Sequence, residues 1–264
     1  MIRKFLLTLA FFLVATTAIL FFGQRYFFYP APQRVITEPP PGYRFVQTQT
    51  SDGLTLRAAY ALARDGKPTL LFFHGNGDSI SGANGATRLL VDNGYGAMLV
   101  EYRGYAGNPG SPSEEGLYRD GEGAIQWLSS QGIGAGRVVI VGNSVGSGPA
   151  TEMALRHNPA ALVLVSGFAS LPTVVSDMRP FIPQWMVRDR YDNEAKLGRI
   201  KRPILLLHGE ADRLVRPMNA MRLSKAAPDA ALAMVSGAGH ELAYGEASQR
   251  LMLDWLDNNV SLKD

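Results

Sequence analysis

Gly142-Asn143-Ser144-Val145-Gly146 is the stretch that decides which fold this sequence predicts. It follows the apolar run of residues 138–141 and precedes residues 147–157, whose composition is compatible with a helix. Between a buried strand and a helix, a G-x-S-x-G pentapeptide forms a strained turn that lifts the serine hydroxyl clear of the sheet. Glycines flank the serine because strand and helix approach closely there and a Cβ would clash. The pattern predicts a nucleophilic serine, Ser144, at the end of a strand.

Continuous apolar runs recur along the chain without alternating polar residues, at 70–73, 97–100, 138–141, 162–165, 204–207 and 232–235. Strands buried on both faces have this pattern, which predicts a mostly parallel sheet. Helical periods fill the gaps, as in residues 114–130, with Ser113 as candidate N-cap, and in residues 247–258. Residues 44–50 and 54–61 precede these runs and predict an antiparallel hairpin. The predicted fold class is α/β, a doubly wound domain with helices on both faces of the sheet.

The overall composition is that of a globular chain with an apolar N-terminus. The chain has 264 residues, of which 46% are hydrophobic and 19% charged, and its net charge is +3. Acidic and basic residues are mixed without a block of one sign, so nucleic acid is not indicated as a partner. The absence of cysteine excludes disulfides, thiolate metal sites, a cysteine nucleophile and a lipidated cysteine anchor. No motif indicates a metal, nucleotide or redox cofactor, and none specifies an oligomeric state.

The N-terminus predicts a membrane anchor, residues 1–25. Residues 5–22 are uncharged, and as a helix they would span about 27 Å, close to the thickness of a bilayer's hydrocarbon layer. The apolar core of a cleaved signal peptide is usually shorter and is followed by an A-x-A-like cleavage site. Here the aromatic residues 26–29 follow instead, as at a membrane interface. We therefore favour an uncleaved anchor over a signal peptide.

The charges around the anchor predict its orientation. Arg3 and Lys4 place the N-terminus in the cytoplasm and the catalytic domain on the other side of the membrane, although Arg25 and Arg34 weaken this prediction. Residues 26–43 are rich in proline, which predicts a stiff, extended linker.

The catalytic domain is expected to comprise residues 44–264, with an irregular segment at about residues 168–200. That segment is too long for an ordinary crossover loop and too apolar for a disordered one. Two interpretations are equally compatible with it. It forms a small helical cap over the strand ends, or it is a plain crossover helix whose Trp185 and Met186 complete the core.

A nucleophilic serine needs a base that takes its proton, and the base must be oriented by a third group. Of the four histidines, His240 lies on a loop just after the last apolar run, at the carboxyl edge of the predicted sheet. His157 ends the helix after the serine and should point away. His74 and His208 directly follow strands and are expected to be hydrogen-bonded structural residues. The sequence therefore predicts His240 as the base.

The candidate for the third group is Asp212, which follows another strand, with Glu210 as its competitor. The chain order Ser144, Asp212, His240 is the nucleophile–acid–base order expected after such a strand–turn–helix motif. An oxyanion hole needs two further donors. The backbone N–H of Val145 is one, and that of Asn76, in the glycine-containing loop after an early strand, is the other.

Together these motifs resemble the α/β-hydrolase superfamily of serine hydrolases, and within it the membrane-anchored branch of lysophosphatidylserine lipases and acyl-protein thioesterases. The resemblance covers about residues 26–258 and is carried by residues 71–77, 101–105, 107, 110–113, 142–146, 208–217 and 239–240. It implies an α/β-hydrolase fold with N-terminal antiparallel strands, a small helical cap and one transmembrane helix in front. It also implies hydrolysis of a carboxylic ester or thioester, with a small-molecule or lipid substrate and no cofactor.

Two other functions stay open at this point. Amide or peptide hydrolysis uses the same machinery, so an amidase or peptidase is compatible with every motif. A catalytically silent binding protein on the same fold is less favoured, because such proteins usually lack the serine, the histidine or a glycine. An aspartate would stand at position 144 in an epoxide or haloalkane hydrolase, and a serine stands there.

Overall fold

The computed structural model describes residues 1–260, in which a long N-terminal helix precedes an eight-stranded sheet. The strands are β1 (Arg44–Gln49), β2 (Thr55–Ala61), β3 (Thr69–Phe73), β4 (Gly96–Val100), β5 (Val138–Asn143), β6 (Ala161–Val165), β7 (Ile204–Gly209) and β8 (Ala231–Val235). The α-helices are α1 (Ile2–Phe28), α2 (Ile80–Asp92), α3 (Glu114–Ser130), α4 (Ser147–His157), α5 (Leu171–Met178), α6 (Asn193–Leu197), α7 (Met218–Ala226) and α8 (Glu246–Asn259).

The sheet has the strand order β1-β2-β4-β3-β5-β6-β7-β8. β1 pairs antiparallel with β2, and β2 pairs antiparallel with β4. The remaining neighbours, from β4 through β3 to β8, pair in parallel. The predicted α/β class, the mostly parallel sheet and the N-terminal antiparallel strands are confirmed.

Two apolar cores, one on each face of the sheet, explain the continuous apolar runs. Leu71 and Phe73 of β3 lie in one core, while Leu70 and Phe72 lie in the other. Because both faces are covered, no position of the strand can be polar without burying a polar group, and the alternation typical of a half-exposed strand is lost. The helix predicted at Glu114–Ser130 has those bounds, and the Ser113 hydroxyl caps it by accepting a hydrogen bond from a first-turn N–H.

The N-terminal helix α1 continues three residues beyond the anchor expected from the sequence and ends at Phe28. It ends there because Tyr29 precedes Pro30, and the proline ring disfavours helical backbone at the residue before it. The helix has a mean hydropathy of 2.5 over 18 residues, and by length and composition it is able to cross a membrane. A signal sequence near an N-terminus meets the same criteria.

The proline-rich stretch and the segment between β6 and β7 are the two irregular parts of the chain that the sequence predicted. In the proline-rich stretch, the carbonyl of Pro32 accepts a hydrogen bond from Ala106 N–H at 2.7 Å. Between β6 and β7 the chain forms the short helices α5 and α6 with a 3₁₀ turn at Gln184–Met186 between them. Trp185 in that turn is 72% exposed, so it does not complete the core.

Candidate active site

Ser144 lies at the sharp turn between β5 and the helix that follows. Its φ is +52°, a left-handed conformation that is strained for a residue with a side chain. The two flanking glycines leave no room for a Cβ: on Gly146 it would lie 2.1 Å from the carbonyl oxygen of Phe73, and on Gly142 2.6 Å from the carbonyl oxygen of Gly146. The strain is therefore held in place by close packing of strand and helix. The turn leaves Ser144 8% exposed.

The structure brings Ser144, His240 and Asp212 into one hydrogen-bonded row. His240 Nε2 lies 2.9 Å from Ser144 Oγ, and His240 Nδ1 lies 2.8 Å from Asp212 Oδ2. A carboxylate only accepts hydrogen bonds, so the proton of the neutral imidazole is on Nδ1 and Nε2 is left to accept from the serine hydroxyl. This arrangement is suited to removing a proton from Ser144.

Asp212 is held as an oriented carboxylate. Its Oδ1 accepts hydrogen bonds from the backbone N–H groups of Leu214 and Val215, both at 2.9 Å, and it is 3% exposed. Burial opposes its ionisation, but the hydrogen bonds from His240 and these two N–H groups keep the pKa of Asp212 below its usual value. Asp212 is therefore ionised at neutral pH. The competing acid, Glu210, is exposed to solvent.

The other three histidines have different partners. Burial lowers the pKa of His208, and its Nε2–H donates to the Val215 carbonyl at 2.8 Å. His74 is fully buried and contacts Glu101 at 3.2 Å. His157 contacts Glu122 at 2.7 Å, at the far end of its helix.

The loop at residues 74–77 lies directly against Ser144. A Cβ on Gly75 would come within 3.7 Å of Ser144 Cβ, so the Gly75–Asn76 peptide is next to the serine. The Asn76 side chain is engaged elsewhere: its Nδ2 donates to the Phe28 carbonyl at 2.5 Å, and its Oδ1 accepts from Tyr105 Oη at 2.9 Å.

Two buried residues that sequence reasoning missed hold the loops of this site. Glu101 accepts from the Ile80 N–H at 3.0 Å as well as contacting His74, which fixes the loop after β3. Ser166, with φ +48°, donates from its hydroxyl to the His240 carbonyl at 3.2 Å. Both residues directly follow a buried apolar run, and Glu101 also begins the motif at residues 101–105, but neither signal indicates the role.

The end of α1 reaches the same edge of the sheet. Arg25 makes two hydrogen bonds to Asp189, at 2.9 and 2.7 Å. Tyr29 Oη lies 3.1 Å from the same carboxylate and 2.8 Å from Tyr191 Oη. Since the Phe28 carbonyl also accepts a hydrogen bond from Asn76, the N-terminal helix contacts the loop beside Ser144.

Comparison with known proteins agrees with this architecture. Residues 68–198 match the family model described as alpha/beta hydrolase fold. The chain is 31% identical over 217 residues to the human alpha/beta hydrolase domain-containing protein 17B, covering 77% of this chain and 72% of that protein. The chain belongs to the α/β-hydrolase family.

Two further comparisons extend the match along the chain. The uncharacterized Mycobacterium tuberculosis protein Rv2307c is 33% identical over 255 residues, covering 92% of this chain and 89% of that protein. The crystal structure of the Pyrococcus furiosus esterase Pf2001 superposes with a TM-score of 0.72 over 88% of this chain and 97% of that one, at 18% identity. At that identity the likeness is one of fold, and it confirms the α/β-hydrolase fold.

Proposed function

We propose that this α/β-hydrolase is a membrane-anchored serine hydrolase that cleaves a carboxylic ester or thioester through an acyl-enzyme on Ser144. The observation that carries the proposal is the row of hydrogen bonds from Ser144 through His240 to Asp212, at 2.9 and 2.8 Å. Each member lies on a different element, so the row does not follow from local sequence. It is the geometry that activates a serine hydroxyl.

In the proposed reaction Ser144 Oγ attacks the acyl carbon while His240 Nε2 takes the hydroxyl proton. Asp212 keeps the imidazole in the required tautomer and stabilises the imidazolium that forms. His240 then gives its proton to the leaving alcohol or thiol as the bond to the acyl carbon breaks. A water molecule, deprotonated by His240, attacks the acyl-enzyme. The bond between the acyl carbon and Ser144 Oγ then breaks, His240 returns the proton to Oγ, and the acid is released.

The tetrahedral intermediates carry a negative oxygen that needs donors. We assign the backbone N–H groups of Asn76 and Val145 to this role. Among residues 1–260 no acceptor pairs with the Asn76 N–H, and its neighbour Gly75 lies against Ser144. Val145 directly follows the serine at the start of the helical turn, so its N–H lies next to the reacting atom.

We propose that α1 is an uncleaved anchor with Arg3 and Lys4 in the cytoplasm and the catalytic domain on the other side. In support, the helix is docked by Arg25 to Asp189 of the domain, a pair with Asp189 buried. A cleaved leader that ends at or after Arg25 would leave that buried carboxylate without its charged partner. An active site held at a bilayer favours a lipid or acyl substrate, with residues 168–200 as a cap beside it.

The experiment is covalent labelling of the detergent-solubilised full chain with a fluorophosphonate probe, beside hydrolysis of acyl esters and matched thioesters from acetyl to palmitoyl. Ser144→Ala should abolish labelling and lower kcat by about 10⁶. Ser147→Ala is the matched control: that hydroxyl, three residues along, contacts Asn193 at 3.2 Å and should not matter for labelling. Labelling of Ser144→Ala at the wild-type rate would refute the proposal.

The same assay decides between the two other functions. An amidase or peptidase would label at Ser144 and turn over an anilide series, which the proposed esterase would leave intact. A silent binding protein would neither label nor turn over any substrate, although thermal unfolding would show it to be folded.

A further inference from the structure

The segment that carries α5 and the following 3₁₀ turn exposes large apolar side chains. Phe181 is 78% exposed, Trp185 72% and Met178 45%. Together with the half-buried Ile182 and Met186, these side chains are here named the cap ridge. A surface of this kind in one short segment marks a site of contact with a membrane or another protein.

The cap ridge stands beside the last turns of α1, across an apolar groove of about 520 Å³. On the helix side the groove is lined by Leu20, Phe21 and Phe27, and on the ridge side by Met178, Ile182 and Met186. Two hydrogen bonds made by the Gln24 side chain fix the distance between helix and ridge. Gln24 Nε2 donates to the Met186 carbonyl at 3.0 Å, and its Oε1 accepts from Arg188 N–H at 2.8 Å.

The position of the ridge relative to the hydrocarbon layer of a bilayer follows from the length of the uncharged part of α1. Residues 5–24 carry no charge between Lys4 and Arg25, and 20 helical residues span about 30 Å, the thickness of the hydrocarbon layer. Arg25 therefore lies at the boundary of that layer. Leu20 lies five residues before it, about 7 Å deeper along the helix axis. Met186, whose carbonyl accepts a hydrogen bond from Gln24, lies at that boundary, and the groove that it lines extends as far as Leu20.

We infer that the cap ridge inserts into the bilayer leaflet nearest the catalytic domain, so that the protein contacts the membrane through both α1 and the ridge. This rests on the proposed anchoring of α1. The bilayer is favoured over a protein partner because the ridge continues an apolar surface, the exposed side chains of α1, that lipid would cover. Tryptophan prefers the membrane interface. Arg179 and Arg188 are exposed on either side of the ridge in the chain, and the Arg188 guanidinium lies 5.6 Å from the Phe21 ring.

Insertion of the ridge also brings the candidate site close to the bilayer. Phe28 lines the groove, and its carbonyl accepts a hydrogen bond from the Asn76 side chain in the loop beside Ser144. Since Phe28 lies three residues after Arg25, that loop is close to the bilayer surface in this arrangement.

The test uses the tryptophan of the ridge as the reporter. The full chain is reconstituted into phosphatidylcholine vesicles with or without bromine at acyl carbons 6 and 7, and flotation of the vesicles measures attachment. Bromine should quench the emission of the wild-type chain, and Trp185→Phe should lose the quenchable component. Trp255→Phe is the matched control and should keep it, because Trp255 is partly buried against a core cluster.

The outcomes separate the ridge from the anchor. A chain that floats with the vesicles but shows equal emission in brominated and plain lipid overturns ridge insertion and leaves the anchor standing. A chain that does not float refutes the anchor and the ridge together. An emission shift of Trp185 that grows with protein concentration and is insensitive to bromine would assign the ridge to a second copy of the chain, and would also overturn the inference.

Discussion

Replacing Gly146 with alanine tests whether close packing of strand and helix holds the strained turn at Ser144. An added Cβ would lie 2.1 Å from the carbonyl oxygen of Phe73 and 2.7 Å from that of His74. Real Cβ contacts essentially never fall below 3.0 Å, so these atoms must separate by at least 0.9 Å. Both obstacles are backbone atoms, and no side chain can rotate to relieve the contact.

The shift acts on stability and on catalysis. Overpacking of a close-packed interior typically costs about 1–3 kcal/mol, and we expect about 3 kcal/mol here because only backbone can yield. In a chain of this size that lowers Tm by about 6–12 °C. The displaced strand end leads into the loop with Asn76, and a misplacement of about 1 Å in a reacting site costs about 10²-fold in rate. We therefore expect kcat to fall by about 10²-fold.

The assay measures kcat on a water-soluble ester, normalised to sites labelled by fluorophosphonate, together with Tm in the same detergent. Gly136→Ala is the matched control, because that glycine is exposed and an added Cβ would meet no heavy atom within 4 Å. Its kcat and Tm should equal those of the wild type. If Gly146→Ala also behaved like the wild type, the packing argument for the turn would be wrong.

Four other substitutions have expected outcomes. Asp212→Asn should lower kcat by about 10⁴, because the imidazole loses its orienting acceptor, while Glu210→Gln should leave kcat unchanged. Asn76→Ala keeps the backbone N–H, so its kcat should fall less than the about 10²–10³-fold seen when an oxyanion donor is lost; a larger fall would assign the donor to the side chain. The hydrogen bond from Arg103 lowers the pKa of Asp52 in the folded protein. The Asp52 carboxylate therefore stabilises the fold at pH values above about 4, the pKa of aspartate in the unfolded chain, and this stabilisation is lost as the pH falls below that value. Asp52→Asn should reduce the fall in Tm at acid pH, and identical curves of Tm against pH for the wild type and the variant would contradict this.

The fold was predictable because its strongest signals are local. A strand buried on both faces, as β3 and β5 are, must be apolar at every position, and the six runs found in the sequence fall within six strands of the sheet. The cap at Ser113 and the turn at Ser144 are likewise encoded within a few residues of themselves. The residues predicted for the site follow the same logic, since Asp212 and His240 come directly after strands whose carboxyl ends share one edge.

The contacts that hold the site in place were not predictable from the sequence. Glu101 lies 27 residues from His74, and Ser166 lies 74 residues from the His240 carbonyl it binds. Pairs so far apart leave no periodic pattern, and a single polar residue after a strand is compatible with many partners. The end of α1 is a further case, because Arg25 finds Asp189 across 164 residues of chain.

The contact between Arg25 and Asp189 connects α1 to the helix that follows the proposed nucleophile. Asp189 is buried and binds both Arg25 and Tyr29, and Tyr29 is hydrogen-bonded to Tyr191 at 2.8 Å. The ring of Tyr191 packs so tightly on Gly148, four residues after Ser144, that a Cβ there would lie 2.1 Å from it. A buried carboxylate and a buried phenol are costly when their partners are removed. The helix α1 is therefore a structural support of the helix that follows Ser144, and the proposed membrane attachment and the proposed catalysis share one set of buried contacts.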